Sequence, residues 1–92
     1  MSSYNVINGE RASESRELLT GILREEWGFE GMVTSDWWTR GEHYKELNAG
    51  NDLKMGNGFP ERLKLADEKG ALDHEQLKKS ATAILNTILK FD

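Results

Sequence analysis

Leu18, Leu19, Ile22, Leu23 and Trp27 recur at the three- and four-residue spacing of one helical face, behind two serines, Ser13 and Ser15, that can accept the first free N–H groups. The pattern predicts an amphipathic helix that Gly28 ends in the left-handed position. Phe29-Glu30-Gly31 then connects to Met32-Val33-Thr34-Ser35, an apolar, partly β-branched run that reads as a buried strand. Beyond Asp36-Trp37-Trp38, residues 41–49 predict a short helix with Tyr44 and Leu47 facing inward, closed by Gly50. Asp52-Leu53-Lys54-Met55 is a weaker strand signal. Gly56-Asn57-Gly58 reads as a turn, and Pro60 suits the first turn of a helix that carries Leu63, Leu65 and Ala66 and stops near Gly70. The last element is the best defined: Asp73 and Gln76 resemble a capping box, and Leu77, Ala81, Ile84, Leu85, Ile88 and Leu89 line one face of a helix of roughly four to five turns. That stripe is expected to be its packing face.

With a short strand over residues 1–5, the order becomes strand, helix, strand, helix, strand, helix, helix. Such alternation implies an α/β fold of right-handed parallel βαβ units. Parallel sheets are normally covered on both faces, whereas three strands with helices on one side leave the other face bare. The chain is therefore expected to be part of a larger fold. Its 92 residues make one small domain. No run of about 18 apolar residues is available to span a bilayer. Twelve Lys and Arg against sixteen Asp and Glu give a net charge of −4 without a basic block, which argues against a nucleic-acid partner. The absence of cysteine excludes disulfides, thiolate catalysis and Cys-based metal sites. The first residues carry neither a basic segment nor an apolar one, so no secretory signal is expected in this chain, and its compartment stays open.

Ser35-Asp36-Trp37 falls at the C-terminal end of the predicted strand, the end where parallel α/β folds bind ligands. A carboxylate beside an indole suits sugar chemistry, because the indole stacks on the apolar face of the ring while the carboxylate attacks or stabilises an oxocarbenium-like carbon. The structural alternative is an Asp that caps the following helix beside a core Trp. Spacing alone leaves both open. Glu25, Glu26, Glu30 and Asp52 fit solvated or capping roles. His43 and His74 are distant in sequence and match no metal motif, so no metal is expected, and Gly56-Asn57-Gly58 lacks the remaining residues of a dinucleotide or phosphate loop.

Several blocks resemble one known family in the same order. These are Met1-Ser2-Ser3-Tyr4-Asn5 with Asn8-Gly9, Glu17-Leu18-Leu19, Leu23-Arg24-Glu25-Glu26-Trp27-Gly28-Phe29-Glu30-Gly31, Val33-Thr34-Ser35-Asp36-Trp37 and Ala49-Gly50-Asn51-Asp52-Leu53-Lys54-Met55. Together they resemble glycoside hydrolase family 3, whose members are β-glucosidases and related exo-acting enzymes that retain anomeric configuration. The resemblance implies that residues 1–92 form a single partial domain, the last βα units of a (β/α)8 barrel: a partial TIM-barrel-like segment of about three βα units with parallel strands and a long C-terminal helix. It places Asp36 at the catalytic nucleophile, Trp37 in the glycosyl subsite, Tyr4 at the active-site tyrosine within hydrogen-bond reach of the nucleophile, and Met1 at the pocket border. Trp38 stands where the family often has a small residue, and Met55-Gly56-Asn57 where it often has Met-Pro-Gly, which bears on substrate preference.

The same resemblance implies that the Lys-His pair, the sugar-gripping Asp and Arg, and the general acid/base come from parts of the family fold outside this chain. It implies no cofactor, and a β-linked glucoside or related sugar as substrate of the parent enzyme. Two functions follow as expectations: a nucleophile-bearing segment of a retaining glycosidase, or a non-catalytic fold fragment or assembly module, with the isolated chain inactive. The bare sheet edges and face further predict a homodimer, or association with the remainder of the barrel.

Overall fold

Asn8 and Gly9 both take left-handed backbone angles (φ 52° and 82°), the geometry of a two-residue hairpin turn. They fold β1 (Val6–Ile7) onto β2 (Glu10–Arg11) antiparallel, with Val6 opposite Arg11 and Ile7 opposite Glu10. The computed structural model describes residues 1–37, 39–56 and 60–91. Trp38 and most of the expected Gly56-Asn57-Gly58 turn lie outside them.

The expected three-stranded sheet is not formed as a regular sheet among the described residues. Its segments nevertheless lie side by side. The Ser2 N–H donates to the Thr34 carbonyl at 2.9 Å, and the Asp36 N–H donates to the Ser2 carbonyl at 3.1 Å. Thr34 and Leu53 form a single parallel bridge, with Ser35 N–H bonded to the Leu53 carbonyl at 2.9 Å and Leu53 N–H to the Val33 carbonyl at 3.2 Å. Side chains divert the next ladder donors: Val33 N–H goes to the Asp52 carboxylate and Met55 N–H to the Ser35 hydroxyl, each at 2.8 Å.

A short 3₁₀ turn (Ala12–Glu14) precedes the first long helix, where the Ser15 hydroxyl accepts the Leu18 N–H at 3.2 Å, as a cap should. That helix, Glu17–Glu26, is wound as a π-helix, not with the 3.6-residue period read from its apolar spacing. Leu19 packs with Val33 and Ala49 in the core, and Leu23 closes over them. Trp27, expected on the inner face, follows the last turn and is exposed.

α1 (His43–Ala49) ends at Gly50, whose φ of 118° lets its N–H reach the Glu46 and Leu47 carbonyls. The Thr20 hydroxyl bonds the Ala49 carbonyl at 2.7 Å and ties α1 to the π-helix. Buried Asn51 donates to the Ser13 carbonyl at 2.5 Å and accepts from the Ser2 hydroxyl at 2.9 Å, joining three stretches of chain.

α2 (Pro60–Glu68) buries Ala66 but leaves Leu65 exposed. α3 (His74–Lys90) is capped by the Asp73 carboxylate, which accepts from Glu75 and Gln76 N–H. The Gln76 side chain turns away to Ser80 and does not complete a capping box. The α3 stripe is a larger correction. Its buried residues are Gln76 and Ser80, while Leu77, Leu85, Ile88 and Leu89 are exposed. α3 neighbours α1, and the residues it buries are polar.

Candidate active site

One parallel bridge, Thr34 to Leu53, and the hydrogen bonds of Ser2 to Thr34 and Asp36 bring the extended segments together. Those two Ser2 backbone bonds lie on either side of Ser35, with Met1 the immediate neighbour of Ser2 in the chain and Tyr4 two residues on. Ser35 is fully buried, and its hydroxyl, bonded to Met55 N–H, fixes the segment immediately before Asp36. Asp36 is half-buried, and its Oδ1 accepts the Trp37 N–H at 2.7 Å. This local bond is not the helix cap of the structural alternative, since the next helix begins only at His43 and Trp37 is exposed and not core, and it leaves the other carboxylate oxygen for different partners. Trp37 is 51% exposed and Tyr4 49%, so both offer aromatic surface. Among the described residues Tyr4 does not donate to Asp36. Met1 is largely exposed.

Tyr4, Arg11, Ser13, Thr39 and Arg40 line one depression; among the described residues Asp36, Trp37 and Met1 do not line it. Neither arginine carries a sequence signal: Arg11 belongs to the hairpin and Arg40 to the loop after Asp36, and only folding brings them to Tyr4.

Behind the site two ion pairs hold the segment around Leu53. Asp52 accepts from Arg24 at 2.7 Å as well as from Val33 N–H, and Arg24 also bonds the Gly31 carbonyl at 3.0 Å and covers the Phe29 ring. The block from Leu23 to Gly31 thus wraps around one guanidinium. Asp52 is structural, as expected, but buried rather than solvated. On the other side Lys54 reaches Glu46 at 2.5 Å. His43, at the start of α1, is held below its ordinary value near 6.5, first by burial and then by the Lys54 ammonium, with Glu46 opposing. Among the described residues no three His, Asp or Glu side chains converge as metal ligands.

The Glycosyl hydrolase family 3 N terminal domain matches residues 1–87. The chain belongs to glycoside hydrolase family 3. Among family members, Beta-glucosidase A of Butyrivibrio fibrisolvens is 63% identical over 76 residues, covering 83% of this chain and 9% of the relative. A Beta-glucosidase of Rhizobium radiobacter is 44% identical over 88 residues, covering 92% and 11%. The crystal structure of the Bifidobacterium adolescentis family 3 β-glucosidase superposes with a TM-score of 0.86 at 38% identity, over 95% of this chain and 13% of that one. β-Glucosidase 3B of Thermotoga neapolitana in complex with α-D-glucose gives 0.84 at 36% identity, over 90% and 13%. The chain therefore spans about a tenth of the family 3 enzymes it matches.

Proposed function

We propose that residues 1–92 are a partial barrel domain that supplies the nucleophile of a retaining, β-glucosidase-like family 3 hydrolase. The observation that carries this reading is Asp36 itself. It lies within the matched family segment, at the end of a backbone fixed by Ser2 and Leu53, beside a half-exposed indole. In the reaction a carboxylate oxygen of Asp36 bonds the anomeric carbon as the glycosidic C–O bond breaks, and the leaving oxygen takes a proton from a general acid contributed outside this chain. Water then hydrolyses the glycosyl ester, with the same acid acting as base. Trp37 stacks on the sugar, and Tyr4 and Met1 border the pocket. The test is trapping with a 2-deoxy-2-fluoroglucoside and peptide mapping of an enzyme containing this segment. The label is expected on Asp36, and a label on any other residue overturns the assignment.

For the 92-residue chain by itself the exposed α3 stripe favours a second reading, that of an inactive assembly part. A retaining mechanism needs a second carboxylate about 5–5.5 Å from the nucleophile, which the proposed reaction draws from outside these 92 residues. The apolar surface fits burial against a second copy or the rest of a barrel. Turnover of an aryl β-glucoside by the isolated chain that disappears in Asp36→Asn would refute inactivity.

A further inference from the structure

Lys54 follows the bridged Leu53 and is a deeply enclosed cation. Its side chain is 4% exposed and that of its partner Glu46 1%. An ammonium has three protons to give. Here they are shared among four oxygens: Glu46 Oε1 at 2.5 Å, the Thr39 carbonyl and hydroxyl at 3.1 Å each, and the Gly41 carbonyl at 3.4 Å. Three of those four belong to the loop that leaves Asp36 and leads into α1. The packing is tight enough that a Cβ on Gly41 would lie 2.6 Å from Glu46 Oε2. That oxygen is itself buried without a hydrogen bond among the described residues.

A buried ion pair is a poor route to stability, since apolar side chains of the same volume commonly serve as well or better. Its directed bonds do what apolar contact does not: they fix a backbone in one geometry. Here the fixed backbone is the far end of the Asp36–Trp37 loop, whose near end is already pinned by the bond from Asp36 N–H to Ser2.

We infer that Lys54, seated on Glu46, is a positioning residue that clamps the loop at Thr39 and Gly41 and so sets the attack geometry of Asp36 and the tilt of Trp37. The inference rests on the proposed role of Asp36. Misplacement of a reacting group by about 1 Å is worth roughly 10²-fold in rate, so the clamp should show in chemistry more than in folding.

The test uses an enzyme containing this segment and reads the saturating rate of trapping by a 2-deoxy-2-fluoroglucoside, alongside the unfolding temperature. Lys54→Met with Glu46→Met removes the clamp without stranding a charge. The double variant is expected to unfold near the wild-type temperature while trapping slows by roughly 10²-fold. A folded double variant that traps at the wild-type rate overturns the inference. Should it not fold, Thr39→Val decides: it leaves the ion pair whole and removes one loop bond. Slower trapping at an unchanged unfolding temperature supports the clamp, and wild-type trapping refutes it. A wild-type label away from Asp36 removes the proposed function itself, whereas unchanged variants labelled on Asp36 remove only the part given to Lys54.

Discussion

His43 illustrates how one residue reports on its surroundings. Burial and the Lys54 ammonium both disfavour its charged form, more than Glu46 favours it, so the folded chain holds the imidazole neutral to a lower pH than the unfolded chain does. The sign follows from linkage: below about 6.5 the unfolded state binds the proton more readily, and stability falls as pH drops from there toward the lower folded pKa. Above that window the contribution is fully present. Unfolding temperatures measured between pH 8 and pH 5 should therefore decline more steeply for the wild type than for His43→Gln, and parallel curves would remove His43 as a source. Asp36 makes a different point at this scale. Its Oδ1 accepts the N–H of its own neighbour Trp37 and caps no helix, while the residue stands at the end of the strand-like segment, where the proposed nucleophile belongs.

At the level of elements, positive-φ glycines mark where helices stop, and two of them separate backbone strain from crowding. Gly70 has φ 75° with open space around it, so Gly70→Ala should cost about 1–2 kcal/mol for the left-handed backbone alone. Gly50 has φ 118°, and a Cβ there would lie 2.8 Å from the Thr20 hydroxyl that holds α1 to the π-helix. Gly50→Ala should lower the urea midpoint further than Gly70→Ala; equal shifts would show that Thr20 gives way freely. Such signals are legible in sequence because they are local: Ser15, Gly28, Gly50 and Asp73 act on N–H and C=O groups within a few residues. The Asn8-Gly9 hairpin is local in the same way, with Val6 and Ile7 before the turn and Glu10 and Arg11 after it. The π-winding was not readable, because Leu18, Leu19, Ile22 and Leu23 satisfy the α-helical period just as well. Nor was the pairing of Lys54 with Glu46, which depends on where α1 lands against the Leu53 segment. Asp36 and Trp37 stood out because their chemistry is adjacent in the chain, whereas Arg11 and Arg40 meet Tyr4 only through the fold.

For the whole molecule, the orientation of α3 matters most. Leu85 is 60% exposed and Ile88 55%, on a helix whose buried residues are Gln76 and Ser80. Self-association through this face should be visible by sedimentation equilibrium at micromolar concentration and should weaken in Leu85→Lys with Ile88→Lys, with helix content by circular dichroism retained. A wild-type monomer with dispersed amide resonances would exclude the dimer. Asn51 acts across the molecule in another way, since its one amide group spans Ser2 and Ser13. Amides age. Hydrolysis to aspartate would replace the donor facing the Ser13 carbonyl with an oxygen, leaving two acceptors opposed in a dry place. Asn51→Asp stands in for the aged chain: its helices should persist while a protease clips residues 1–5 sooner, so the Tyr4 side of the pocket would have a chemical shelf life shorter than that of the fold beneath it.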